Sequence, residues 1–164
     1  MIIQTGMRTD IPAFYSEWLV NRIKEGYVLV RNPYNQSQVT KYSLSPDFVD
    51  LIAFCTKNPA PMLAHMDILS PYGQYWFVTI TPYGRDVEPH VPAKEIVMGD
   101  FKKLSNLVGV DSVGWRYDPI FIDANHSVAW CESRFKKRQT HNRKSICRDC
   151  RHLRNDHPPL RRRG

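Results

Sequence analysis

Apolar runs that end in short clusters of charged, polar and proline residues recur five times in the first 119 residues. The runs are Met1-Ile2-Ile3, Tyr27-Val28-Leu29-Val30, Val49-Asp50-Leu51-Ile52-Ala53-Phe54, Tyr75-Trp76-Phe77-Val78-Thr79-Ile80 and Ser112-Val113-Gly114. The clusters that follow them are Met7-Arg8-Thr9-Asp10, Arg31-Asn32-Pro33, Lys57-Asn58-Pro59, Thr81-Pro82-Tyr83-Gly84 and Trp115-Arg116-Tyr117-Asp118-Pro119. In a parallel α/β sheet or barrel the carboxyl ends of the strands share one face, so such clusters converge there. The pattern therefore predicts where a polar site lies, without predicting its reaction.

Helical patterns separate the runs. After a first strand from Met1 to Thr5, Thr9 or Asp10 can cap a helix whose first turn accepts Pro12. Phe14, Trp18, Leu19 and Ile23 give that helix an apolar face, and Gly26 ends it. Residues 31–46, with Pro33, Asn35, Gln36 and an alternating Val39 to Leu44, read as a hairpin or extended excursion. A helix is expected from about Pro61 to Leu69. Another is expected from about Ala93 to Val108, with Ile96, Val97, Phe101, Leu104 and Leu107 on one face and Gly109 after it. A fifth strand is expected over Trp115–Ile122. Alternating strands and helices predict βα units and a mostly parallel sheet.

Charge divides the chain. The total of +7 comes from residues 134–164, which hold 12 Lys/Arg against Asp149 and Asp156, a net of +10. Residues 1–133 keep 11 basic and 14 acidic residues, a net of −3, so the pI of about 9.4 says nothing about the body binding nucleic acid. Apolar periodicity stops near residue 133, and a tail of this composition is expected to be disordered. The 164 residues suffice for one domain but fall short of the ~250 typical of a closed eight-stranded barrel. Four cysteines do not make a disulfide framework in a chain of this length. No leader segment and no run of ~18 apolar residues is visible, so the expected setting is soluble, reducing and cytoplasmic, with no membrane partner.

The strand-end clusters supply the candidate site residues. Arg8 and Asp10 can hold an anion and orient a donor; equally, Asp10 can be a helix cap with Arg8 its surface neighbour. Lys57 can hold a carboxylate or phosphate as a point charge, whereas Asn58-Pro59 can be a simple turn. Arg31 and Asn32 carry the same two readings. Tyr83 belongs to the cluster after the fourth run. Arg116 and Asp118 fall on the same side of an alternating, well-buried run, where they can pair or face a common ligand; this pair is the leading candidate. Cys55 reads as a small core residue; His65 on a helix and His90 in a loop lack partners at ligand spacing, His126 follows Asp123 in a turn, and all three read as non-catalytic, with His90 the first exception to consider. In the tail, Cys147 and Cys150 with His152 or His157, and Cys131 or His141, could form a zinc set, but only one clean ligand pair is present.

Several of these strings together resemble a bacterial family known as domain of unknown function 1848. They are Arg8-Thr9-Asp10-Ile11-Pro12-Ala13-Phe14-Tyr15, Tyr27 to Pro33, Thr56-Lys57-Asn58-Pro59-Ala60-Pro61, Thr81 to Gly84 and Trp115 to Pro119, in the family's order over roughly residues 1–133. The resemblance implies a TIM-barrel-like fold similar to radical-SAM enzymes. In longer relatives it implies a C-x3-C-x2-C cluster holding [4Fe–4S] with S-adenosylmethionine as cofactor. Here Cys147-Arg148-Asp149-Cys150 is C-x2-C alone, and no cofactor is expected in this chain as it stands. The resulting expectation is an α/β fold, a partial (β/α) barrel of about five parallel units over 1–133 with a basic tail over 134–164. Such a chain would be the truncated, inactive N-terminal part of a barrel that takes an unidentified small molecule. The alternative is a small nucleic-acid-binding protein acting through its basic, zinc-capable tail.

Overall fold

Strand β1 (Ile2–Gln4) leads into two helices, α1 (Ile11–Phe14) and α2 (Ser16–Glu25). Asp10 caps α1, its Oδ1 accepting the Ala13 N–H at 3.0 Å, which satisfies one of the donors a helix start leaves open. The expected single helix is broken at Tyr15. Phe14 and Trp18 stay exposed while Leu19 and Val20 enter the core. Gly26 closes α2 at φ 75°, a left-handed conformation that a Cβ would strain.

The chain then forms β2 (Tyr27–Arg31) and β3 (Val39–Ser43), a two-stranded antiparallel sheet separate from the main one. This corrects the expectation of five parallel units, since the run at Tyr27 never joins the parallel sheet. The nearest partner in sequence wins: a short turn closes at little entropic cost, and Asn32 and Gln38 seal it, backbone N–H to carbonyl at 2.9 Å and side chain to side chain at 2.7 Å. Leu29, Val30 and Arg31 are exposed, unlike the doubly covered residues of a parallel strand.

The main sheet is parallel and four-stranded, in the order β1, β4 (Leu51–Thr56), β5 (Gly73–Thr79), β6 (Val113–Arg116). These strands follow one another in chain order without a reversal. The crossovers between them carry α3 (Ala60–Leu63) and α4 (Met66–Leu69), then α5 (Lys94–Val108). Where one helix was expected to Leu69 there are two single turns. The chain leaves helical geometry at His65 (φ −123°, ψ 22°), whose Nε2 lies 3.1 Å from Glu17 on α2.

Strand alternation sends Ile52, Phe54, Trp76, Val78, Val113 and Trp115 to the helix-covered face, where they pack with Val97, Phe101 and Leu104 of α5 and with Leu19, Met62 and Leu69. Phe54 and Trp76 stack at 3.9 Å between ring centroids. Ile96 and Leu107, expected on the same face of α5, remain 58% and 61% exposed. On the opposite face of the sheet Ala53, Cys55, Tyr75, Phe77 and Gly114 are only half-buried. The sheet is open, and no closed barrel is present among the described residues.

The fifth run also ends early. The ladder stops at Arg116, well short of Ile122. The Asp118–Pro119 peptide is cis, and a proline has no N–H to give the ladder. Unforeseen in the sequence, α6 (Val128–His141) runs straight across the boundary expected at 133. Phe135 stacks on Trp115 at 5.2 Å and meets Tyr117 edge-on at 5.1 Å, so apolar packing continues into the segment assigned to the tail.

The structure is a computed structural model that describes residues 1–141, with side chains described to residue 137. Of the tail expected to be disordered, residues 134–141 are helical, while residues 142–164, with the zinc ligands Cys147, Cys150, His152 and His157, lie outside the described residues, as does the side chain of His141. No helix among the described residues is long and apolar enough to cross a membrane.

The core makes a simple prediction. Phe54→Ala, at a fully buried stacked ring, should lose about 3–5 kcal/mol. Phe48→Ala, 63% exposed, should change stability by no more than about 0.5 kcal/mol. Urea midpoints at constant m-value decide the comparison.

Candidate functional site

Parallel pairing places the carboxyl ends of β1, β4, β5 and β6 along one edge of the sheet, and each end is followed by polar residues. After β1, Asp10 spans two elements: besides capping α1, its Oδ2 accepts the Lys57 backbone N–H at 2.7 Å. That bond ties the end of β1 to the end of β4.

Lys57 projects from the end of β4 to Glu88 in the loop after β5. Glu88 is the hub of the edge: its side chain is 9% exposed, Lys57 bonds one carboxylate oxygen, and Lys94 at the start of α5 bonds the other. Thr81 donates to Glu88 Oε2 at 2.7 Å. Burial pushes the Glu88 carboxyl up, but the hydrogen bonds from Lys57, Lys94 and Thr81 outweigh it and hold the group below the ordinary glutamate range.

At the end of β6, Arg116 and Asp118 form a two-point pair, Nε to Oδ1 at 3.0 Å and Nη2 to Oδ2. The expected alternation holds, but the expected burial does not: the side chains are 43% and 55% exposed, because β6 has no further strand beside it among the described residues. Arg116 holds the Asp118 carboxyl below its ordinary range, and Lys57 adds to that effect from across the edge. Asp118 in turn raises Arg116, with smaller contributions from Cys55. Cys55 is half-buried on the open face of the sheet, not in the core as its composition suggested.

The result is one row of alternating charge: Lys94, Glu88, Lys57, Asp118, Arg116. Three cations and two carboxylates make up this row, and Asp10, bonded to the Lys57 N–H, adds a third carboxylate to the edge. Glu88, Lys94 and Thr81 were missed in the sequence. They lie in a proline-rich loop and at a helix start, with no spacing that marks them. The only signal was the shared strand-end position of Thr81.

Other candidates go elsewhere. Asn58 closes a local turn, its Oδ1 accepting the Ala60 N–H at 3.3 Å. Tyr83 is 2% exposed, and its hydroxyl bonds the Phe121 backbone at both N and O while the ring stacks on Phe121 at 4.3 Å. Both are engaged in holding the loops. Arg31 and Asn32 sit in the hairpin and not at the end of a parallel strand. Arg8 joins them, donating to the Arg31 carbonyl at 2.7 Å. His90 is exposed, and His126 is buried with its Nδ1 2.8 Å from Asp123.

The profile of a family described as domain of unknown function (DUF1848) matches residues 2–150. The chain belongs to this family. The DUF1848 match runs past the boundary expected at 133, through α6, and takes in Cys131, Cys147 and Cys150. Neither a curated protein nor a solved structure matches the chain.

The Glu88 hub gives the DUF1848 domain a pH signature. Because its folded pKa lies below the ordinary 4.5, Glu88 contributes stability that is present above that value and lost as pH falls through the lowered one. Glu88→Gln should cost roughly 3 kcal/mol at pH 7, leaving two lysines without their counter-charge, and should flatten the stability profile below pH ~4.5. Denaturant titrations from pH 7 to pH 3 check both; a mutant profile parallel to wild type contradicts the assignment.

Proposed function

We propose that the carboxyl-end edge of the parallel sheet binds a small anionic molecule, with Lys57 and Arg116 receiving a carboxylate or phosphate. One observation carries this reading: Lys57 and Arg116 stand on the same edge with partly exposed side chains, beside carboxylates that are already satisfied. A bound anion can meet both. Lys57 is the member suited to be shared, since its side chain is 36% exposed whereas Lys94 is 12% exposed. Arg116 has unused N–H donors on a planar fork that suits oxyanions.

We further propose that the four parallel strands are the opening part of a (β/α) barrel of the radical-SAM-like kind. Support comes from strands ordered in chain sequence, helices covering one face, and a half-buried opposite face where a barrel would have its interior. A [4Fe–4S] cluster of that class needs three thiolates. No group of three or more His, Cys, Asp or Glu among the described residues could hold a metal ion. These residues do not fit the cluster, and no part of the reading runs through it or through S-adenosylmethionine.

Binding is tested on the whole chain at low ionic strength by thermal shift with succinate, inorganic phosphate and pyrophosphate. At 100 times Kd a ligand should add about 2.7 kcal/mol to the folded state. Lys57→Met and Arg116→Met should each weaken the interaction at least tenfold, about 1.4 kcal/mol. Equal stabilisation of wild type and both variants would sink the proposal.

A further inference from the structure

A groove of about 570 Å³ lies between the end of β1 and the β2 strand of the hairpin, where Arg8 donates to the Arg31 carbonyl. Its walls are apolar and open: Met7 is 77% exposed, Tyr15 50%, Trp18 43% and Leu29 57%. Two arginines, Arg8 and Arg31, complete the lining. The volume falls in the range of sites for drug-sized molecules.

The arginines decide what such a groove would take. Each guanidinium spends a donor on a backbone carbonyl, Arg8 on Arg31 and Arg31 on Gln36, both at 2.7 Å. These bonds orient the groups and leave their charge intact. Neither arginine belongs to an ion pair among the described residues, whereas Lys57, Lys94 and Arg116 all do. Two oriented, uncompensated guanidinium groups beside aromatic walls call for an anion attached to a flat apolar body.

We propose that this groove is a second binding site, for a small molecule with an aromatic body and a single carboxylate or phosphate. The body lies against Tyr15, Trp18 and Leu29, and the oxyanion meets Arg8 and Arg31. The site is independent of the charged row and stands whether or not that row binds a ligand.

The test is calorimetric titration of the whole chain with 2-naphthoate, 2-naphthyl phosphate and the uncharged 2-naphthylmethanol at low salt. Saturable one-to-one binding of either anion is expected, with the alcohol at least tenfold weaker; the tighter of the two anions names the head group. Leu29→Glu places a carboxylate in the groove at an exposed position the fold tolerates, and should weaken the anions at least tenfold. Arg31→Met should do the same and bring their affinity to that of the alcohol. Ile120→Glu, at an exposed apolar position on the loop after β6, should leave binding unchanged. The proposal is overturned if the alcohol binds as tightly as the anions, or if Leu29→Glu binds like wild type. It is equally overturned if the chain self-associates with rising concentration and Leu29→Glu abolishes that association, which would make the groove a contact between copies.

Discussion

Parallel strands cannot be joined by tight turns. Each must be returned to its starting edge by a crossover, so β1, β4, β5 and β6 all deliver their carboxyl ends to the same edge. Everything else of interest follows from that constraint. Residues far apart in sequence, Asp10, Lys57, Thr81 and Arg116, come to the same edge without any specific attraction being needed to gather them. The stack of Phe54 on Trp76 and the α5 side chains above it keep the strands in register, so a change in the core would move the edge as well.

A gathered edge creates an electrostatic problem, and the way it is met defines the site. Glu88 is drawn from solvent and kept ionised only because two lysines and a threonine satisfy its oxygens. Lys57 is shared between Glu88 and the field of Asp118, which Arg116 holds in turn. The charges nearest the helices are closed into fixed pairs, while those toward β6 remain open to solvent. Rigidity on one side and accessibility on the other is a reasonable anatomy for a binding edge.

The hairpin is the one large departure from the expected pattern, and it changes the molecule's surface. Had β2 joined the parallel sheet, Arg31 and Asn32 would have stood beside Lys57. Paired with β3, they stand beside Arg8, and the space left between β1 and β2 becomes an apolar groove with charged residues at its side. Membership of the DUF1848 family names the lineage of this arrangement but not its chemistry, so function has to be argued from these two surfaces.

Much of this was legible in the chain itself. Strands β4 and β5 follow from runs of apolar residues long enough to be covered, the caps at Asp10 and Gly26 from local backbone chemistry, and α5 from its period. The Arg116–Asp118 pairing follows from alternation two residues apart. These are local properties, decided by steric and hydrogen-bonding preferences within a few residues. What only the tertiary structure decided is which apolar run pairs with which, and therefore that Tyr27–Arg31 leaves the sheet. It also decided that Lys57 meets Glu88 and that Phe135 carries α6 onto the core. Those contacts join residues tens of positions apart. No short-range preference encodes them; they exist because burying the apolar faces of the sheet and helices together brings distant side chains within reach of one another, and a charge drawn from solvent is kept only where an opposite charge meets it.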